Sequence, residues 1–267
     1  FFWPEHTSPL TLMINFSGYS EHRTPHARFR LGQQGYLIFN HGQEYSNQIH
    51  SEVEVDAMRL VLMPAFAEGA LTNLTTPSDK LLDQPDDLKT SPLSFYEKVY
   101  PHDGLLSPVF ARMKAAIDSG LASPLWEAEQ FHHVAARLVQ VHERVRREIS
   151  EMPAVKAATR AELYRRLNRA KEFIDASAAS SIELSEVSKV ACLSTHHFLR
   201  LFKAAFHQTP HQYLTARRLE MAKFLMSRTQ KSITEICFDV GFESLGAFST
   251  LFRSHTGLSP KQFRAHT

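Results

Sequence analysis

The chain has 267 residues, 43% hydrophobic and 22% charged, an ordinary globular balance and enough length for two domains. No apolar run approaches the ~18–20 residues of a membrane span, no secretory signal pattern is present, and Cys192 and Cys237 are too few for a disulfide framework or a zinc site. The formal charge of +2 divides unevenly: residues 160–267 carry 16 Lys and Arg against 9 Asp and Glu, residues 1–159 carry 14 against 19. A part with net charge +7 beside a part with −5 points to a nucleic-acid module joined to something else. Chance asymmetry is the competing reading. The cysteine usage suits a reducing cytoplasm, and a start at Phe1 rather than Met suggests a trimmed N-terminus.

The first ~75 residues read as short strands and turns. Leu12–Phe16 is an apolar run, Ala27–Leu31 alternates with period two, and Gly32 and Gly35 precede the run Tyr36–Phe39. Val53 and Val55 alternate with acidic residues, and Arg59–Met63 ends at Pro64. This spacing predicts an antiparallel barrel or sandwich. From about Leu105 the period becomes helical. One helix is expected over Ser107–Asp118 and a longer one over Pro124–Ser150, with Pro at its first turn. The longer helix carries a heptad-like stripe of Ala128, Phe131, Ala135, Leu138, His142, Val145 and Ile149. The stripe suits a dimer contact through Phe131, Leu138, His142 and Val145, or packing on the chain's own strands; both remain open. Glu151-Met152-Pro153 reads as the start of a linker over 151–159, and Thr159 with Glu162 makes a capping-box pattern for a new helix.

The C-terminal part contains an internal repeat. A shift of 50 residues lays Ser194, Phe198, Leu201, Phe202, Pro210 and Gln212 on identical residues at Ser244, Phe248, Leu251, Phe252, Pro260 and Gln262. Upstream, a shift of 49 lays Leu184, Glu186 and Val187 on Ile233, Glu235 and Ile236. Two copies are too few for a solenoid, so a duplicated helical unit is expected. In each copy a short helix meets a turn and a second helix, with Ser194 and Ser244 as N-caps. In the first copy Phe198, Leu201, Phe202 and Ala205 share a core face, opposite Thr195, His196, Leu199, Arg200 and Lys203. That is a helix-turn-helix plan, whose second helix enters a major groove. His211–Ser227 between the copies predicts a helix ~25 Å long, able to hold two such helices about one DNA turn apart.

Residues 160–267, about 40% of the chain, resemble the DNA-binding domain of the AraC/XylS family of bacterial transcription regulators. The resemblance is carried by Ile233-Thr234-Glu235-Ile236-Cys237-Phe238-Asp239-Val240-Gly241-Phe242, by Phe248-Ser249 and Leu251-Phe252-Arg253, and by Thr256-Gly257-Leu258-Ser259-Pro260. It implies an α+β multidomain chain. A cupin-like β-barrel with two helices would occupy 1–150 for sensing or dimerisation. An all-α domain of two helix-turn-helix units joined by a linker helix would occupy 160–267. It places base contacts on Thr195, His196, Leu199 and Arg200 in the first unit and on Leu245, Gly246, Ser249 and Thr250 in the second. Arg200 suits guanine O6 and N7; a phosphate contact or an internal ion pair is the alternative. Many relatives carry Arg where Thr250 stands, so sequence preference is expected to lean on the first unit. Ser194, Lys203, Ser244 and Arg253 are candidates for phosphate contacts.

In the N-terminal half, Phe16, Tyr19, Phe29, Tyr36, Phe39 and Tyr45 either line an effector pocket or form core. His22, His26, His41 and His50, with Glu44 and Glu52, raise a metal site. His22 and His26, four apart across Thr24-Pro25, fit strand ligands poorly, and no metal or other cofactor is expected. No nucleophile elbow, P-loop or dinucleotide fingerprint is present, so an enzyme is disfavoured. The expected partners are promoter DNA, a small-molecule effector, a second copy and, for an activator, RNA polymerase. A cupin-type metalloenzyme on a DNA-targeting module and a helical protein adaptor are the competing readings.

Overall fold

Apolar residues at period two build the N-terminal half, and apolar stripes at helical spacing build the rest. The computed structural model describes residues 2–7, 9–49, 54–63, 69, 94–153 and 156–266. The chain divides into two units, Phe1–Ala161 and Glu162–Thr267.

The first unit contains β1 (Phe2–Thr7), β2 (Leu10–Asn15), β3 (Ser20–Arg23), β4 (Arg28–Leu31), β5 (Gly35–Phe39), β6 (Glu44–Gln48), β7 (Ala57–Leu62) and β8 (Val99–Pro101). The order is β1-β6-β3-β4 in one antiparallel sheet and β7-β2-β5-β8 in the other. The expected closed barrel is therefore corrected to two four-stranded sheets among the described residues. Their apolar faces cover each other. Phe29, Leu31 and Tyr45 of one sheet form a core with Met13, Leu37, Phe39 and Val99 of the other, and the Phe39 and Tyr45 rings stack at 4.0 Å. Val53 and Pro64 lie outside the described residues.

Two helices follow, α1 (Ser107–Asp118) and α2 (Pro124–Ser150), with the expected bounds. Ser123 caps α2 by accepting from the Trp126 N–H, and Pro124 needs no donor there. These helices stand against the outer face of the β5 sheet. Tyr36 stacks on Tyr100 at 5.5 Å, meets Phe110 of α1 edge-on at 5.4 Å, and donates to Asp103. Arg144 of α2 donates to the same carboxylate at 2.7 Å. Leu138 and Val145 are buried within their own unit with Val134, Ala135 and Val141, and His142 meets Phe95 edge-on. Self-packing thus accounts for the burial of Leu138 and Val145 within their own unit. Phe131 is half-buried.

The expected linker is shorter than predicted. α3 (Ala157–Ser177) starts two residues before Thr159, and Glu162 accepts from Arg165 at 2.7 Å and Arg166 at 2.8 Å instead of closing a capping box. From Glu162 onward α3 belongs to the second unit. There follow α4 (Leu184–Val190), α5 (Thr195–Phe206), α6 (Pro210–Arg228), α7 (Ile233–Asp239), α8 (Leu245–Thr256) and α9 (Pro260–Ala265). Ring contacts repeat with the sequence. Phe198–Phe202 and Phe202–Tyr213 in the first copy, at 5.3 and 6.0 Å, recur as Phe248–Phe252 and Phe252–Phe263 at 5.6 and 5.5 Å. The helix that follows each copy's second helix opens with a capping box, Thr209 with Gln212 at α6 and Ser259 with Gln262 at α9.

Candidate nucleic-acid interface

Two short helices, α4 and α7, each lead through a tight turn into a longer one, α5 and α8. The turns share a backbone plan: Leu193 N–H donates to Ser188 C=O at 3.0 Å, and Phe242 N–H donates to Cys237 C=O at 3.1 Å. Each turn needs one left-handed residue. Gly241 supplies it at φ 89°, where an added Cβ would lie 2.9 Å from the Ala179 carbonyl oxygen. In the first turn Cys192, exposed and with a free thiol, adopts φ 51° despite its side chain. Its carbonyl accepts from Arg166 of α3 at 3.4 Å.

The N-termini of α5 and α8 are capped alike. Ser194 Oγ accepts from the His197 N–H and Ser244 Oγ from the Ala247 N–H, each at 3.4 Å. Phe198, Leu201 and Phe202 anchor α5 in the core, and Phe248 and Phe252 anchor α8. The opposite face of α5 brings exposed His196, Arg200 and Lys203 together with half-buried Leu199. Among the described residues Arg200 and Lys203 take part in no ion pair or hydrogen bond, so both charges stay available. Thr195 is exposed, but its hydroxyl is tied to Ser188 of α4 at 3.2 Å. On α8, Leu245, Gly246, Thr250 and Arg253 are exposed and Ser249 is half-buried. Thr250 Oγ1 donates to the Gly246 carbonyl at 3.0 Å.

Arg217 and Arg218 of this unit are spent internally. Arg217 Nε lies 2.7 Å from Asp175 Oδ1, and the Tyr213 hydroxyl donates to Asp175 Oδ2 at 2.6 Å. Burial works against the Arg217 charge, yet the Asp175 carboxylate beside it raises its pKa further. Burial first, then Asp175, lifts the Tyr213 phenol well above its ordinary range. Arg218 donates to the Ala178 and Ser180 carbonyls at the end of α3, both at 2.8 Å, and lies 5.8 Å from the Phe242 ring centroid. These tie α3 to α6 and to the second turn. The sequence reading missed them because their partners lie about 40 residues upstream of α6. The adjacent pair Arg217-Arg218, on a helix with a core face, was the available signal.

The N-terminal candidates are not brought together. Phe29 and Phe39 lie between the sheets and Tyr36 on the opposite face of β5. Phe16 and Tyr19 are half-buried, Tyr19 under the Arg30 guanidinium at 4.1 Å and Phe16 5.7 Å from Lys114 Nζ. A single pocket lined by all five is therefore corrected. His22 is buried against Phe39 and shares a 2.8 Å hydrogen bond with Ser20. His26, His41 and Glu44 are exposed, and His50 and Glu52 lie outside the described residues.

A family model described as a helix-turn-helix domain matches residues 187–266. The chain is 36% identical over 92 residues to the probable transcriptional regulator LumQ of Photobacterium leiognathi, covering 34% of this chain and 37% of that protein. It is 25% identical over 176 residues to the Msm operon regulatory protein of Streptococcus mutans, covering 64% and 60%. A solved AraC-type transcriptional regulator from Chromobacterium violaceum is 27% identical at TM-score 0.36, covering 42% of this chain and 96% of that one. The chain thus spans under two thirds of the length of these two curated relatives. Residues 187–266 thus match a helix-turn-helix domain, within the part of the chain whose sequence resembles the AraC/XylS DNA-binding domain.

Proposed function

We propose that the chain is a sequence-specific transcription regulator. In this reading α5 and α8 are the recognition helices of two helix-turn-helix units within 160–267, joined by α6, and both enter the major groove of promoter DNA. The observation that carries it is the exposed face of α5, where Arg200 and Lys203 are held out with no ion pair among the described residues. Base contacts are assigned to Thr195, His196, Leu199 and Arg200, and to Leu245, Gly246, Ser249 and Thr250. Phosphate contacts are assigned to Ser194, Lys203, Ser244 and Arg253. The regulatory names of the matched relatives favour this reading over an enzyme.

Residues 1–150 are assigned to effector sensing and to self-association in the bacterial cytoplasm, with RNA polymerase as a further partner if the protein activates. The exposed side chains of Ile117, Leu121 and Leu125, at 50, 78 and 84%, support a second copy at the α1–α2 corner better than Leu138 or Val145 does. An effector acts by binding the DNA-competent arrangement with different affinity from the other.

The test is a selection of genomic fragments by the full chain, followed by salt titration of binding. One fragment class should be enriched, and its affinity should fall steeply with salt. Lys203→Ala should weaken binding across sequences alike and lower the salt slope by about one. Equal binding to enriched and shuffled fragments would refute the reading.

A further inference from the structure

The outward faces of α5 and α8 differ at matching positions. Across the 50-residue shift, His196 corresponds to Gly246, His197 to Ala247, Arg200 to Thr250 and Lys203 to Arg253. At 3.6 residues per turn His196, Arg200 and Lys203 point away from the Phe198 and Phe202 face of α5, and Gly246, Thr250 and Arg253 from the Phe248 and Phe252 face of α8, whereas His197 is half-buried beside the core face. Over its first two turns α5 therefore holds out imidazole and guanidinium groups, and one turn further on both helices carry a cation, Lys203 and Arg253. The first two turns of α8 hold out bare backbone, one methyl and Thr250.

Thr250 is not a substitute for the missing guanidinium. Its hydroxyl proton is used on the Gly246 carbonyl of its own helix at 3.0 Å, so what it offers a groove is its methyl group and an acceptor oxygen. Leu245, 39% exposed at the first helical position, adds a second apolar group. A Cβ at Gly246 would meet only Ser244 Oγ at 3.7 Å, so the glycine is not required by packing within the chain. Its effect is to let the α8 backbone come close to a flat surface. Thymine alone among the bases presents a C5-methyl group in the major groove, and an apolar side chain discriminates it by contact.

We propose that the two halves of the DNA site are read by different chemistry: α5 reads guanine through Arg200, and α8 reads thymine methyl groups through Leu245 and the Thr250 methyl. The inference rests on the assignment of α5 and α8 as recognition helices. It predicts an unequal site, one part fixed by hydrogen bonds and the other by methyl contacts.

The experiment starts with a duplex selected from a random-sequence pool by the full chain. Base pairs whose preference relaxes in Arg200→Ala mark the α5 part. In the selected duplex each thymine is then replaced in turn by deoxyuridine, which lacks only the C5-methyl group. Uracil at one or more thymines outside the α5 part should weaken binding about fourfold for each methyl lost. The double variant Leu245→Ala, Thr250→Ser should no longer distinguish thymine from uracil there, while keeping its preference in the α5 part. The proposal is overturned if uracil costs less than twofold at every such thymine, or if the double variant retains the difference. The uracil scan uses the unaltered protein, so it stands even where a variant folds poorly. A pool that yields no preferred sequence overturns the recognition-helix assignment instead, which keeps the two failures apart.

Discussion

Cys192 and Gly241 occupy equivalent turn positions and both have positive φ, 51° and 89°. A side chain in that region costs energy that glycine avoids. Cys192→Gly therefore removes strain and should leave the C-terminal unit as stable or more stable, by up to about 1 kcal/mol. Gly241→Ala adds a Cβ 2.9 Å from a carbonyl oxygen and should destabilise it by about 2 kcal/mol or more. Denaturant unfolding monitored in the full chain checks both. His22 behaves differently. Burial lowers its pKa from the ordinary 6.5 to about 3, so the folded protein refuses a proton that the unfolded chain accepts. This lowered pKa makes His22 stabilising above pH 6.5, and the contribution fades as pH falls from 6.5 toward 3. The acid-side loss should approach about 1.4 kcal/mol per pH unit. His22→Gln should flatten that part of the stability profile; an unchanged profile would contradict the burial argument.

At the scale of elements, Arg218 joins three of them: α6, the end of α3 and the turn before α8. Arg218→Ala should loosen the turn before α8, and with it α8, while leaving α5 in place. Affinity for a two-part site should fall, with base preference in the α5 part retained; loss of that preference would show a wider collapse. The helical elements are legible in the sequence because their ends are marked. Ser123-Pro124 opens α2, Thr209-Pro210 opens α6, and the paired Ser194 and Ser244 open α5 and α8. β3 and β6 are less legible. Ser20-Glu21-His22-Arg23 and Glu44-Tyr45-Ser46-Asn47-Gln48 hold few β-branched or apolar residues, and cross-strand pairing such as His22 with Asn47 holds them in the sheet. Every position of β5 is buried, so alternation there does not reveal which face meets the other sheet. The sequence pattern therefore does not separate Tyr36 from Phe39, though the two lie on opposite sides of β5.

At the scale of the whole molecule, the 16 Lys and Arg of residues 160–267 overstate the cations free to meet a partner, although pairing within the unit leaves its net charge unchanged. Arg217 is bound to Asp175, Arg165 and Arg166 to Glu162, Lys223 to Glu220, and Lys231 to Asp239. Composition alone pointed to nucleic acid, but only the tertiary pairing shows that Arg200, Lys203 and Arg253 remain free among the described residues. The central claim is that sequence preference is concentrated in α5. Parallel selections from one random-duplex pool, by the unaltered chain, by Arg200→Ala and by Thr250→Ala, test it most directly. The account predicts that Arg200→Ala erases preference at one or two adjacent base pairs, a change of about 1–3 kcal/mol in discrimination, and that Thr250→Ala changes less. Equal and uniform losses on preferred and random DNA for both variants would contradict it.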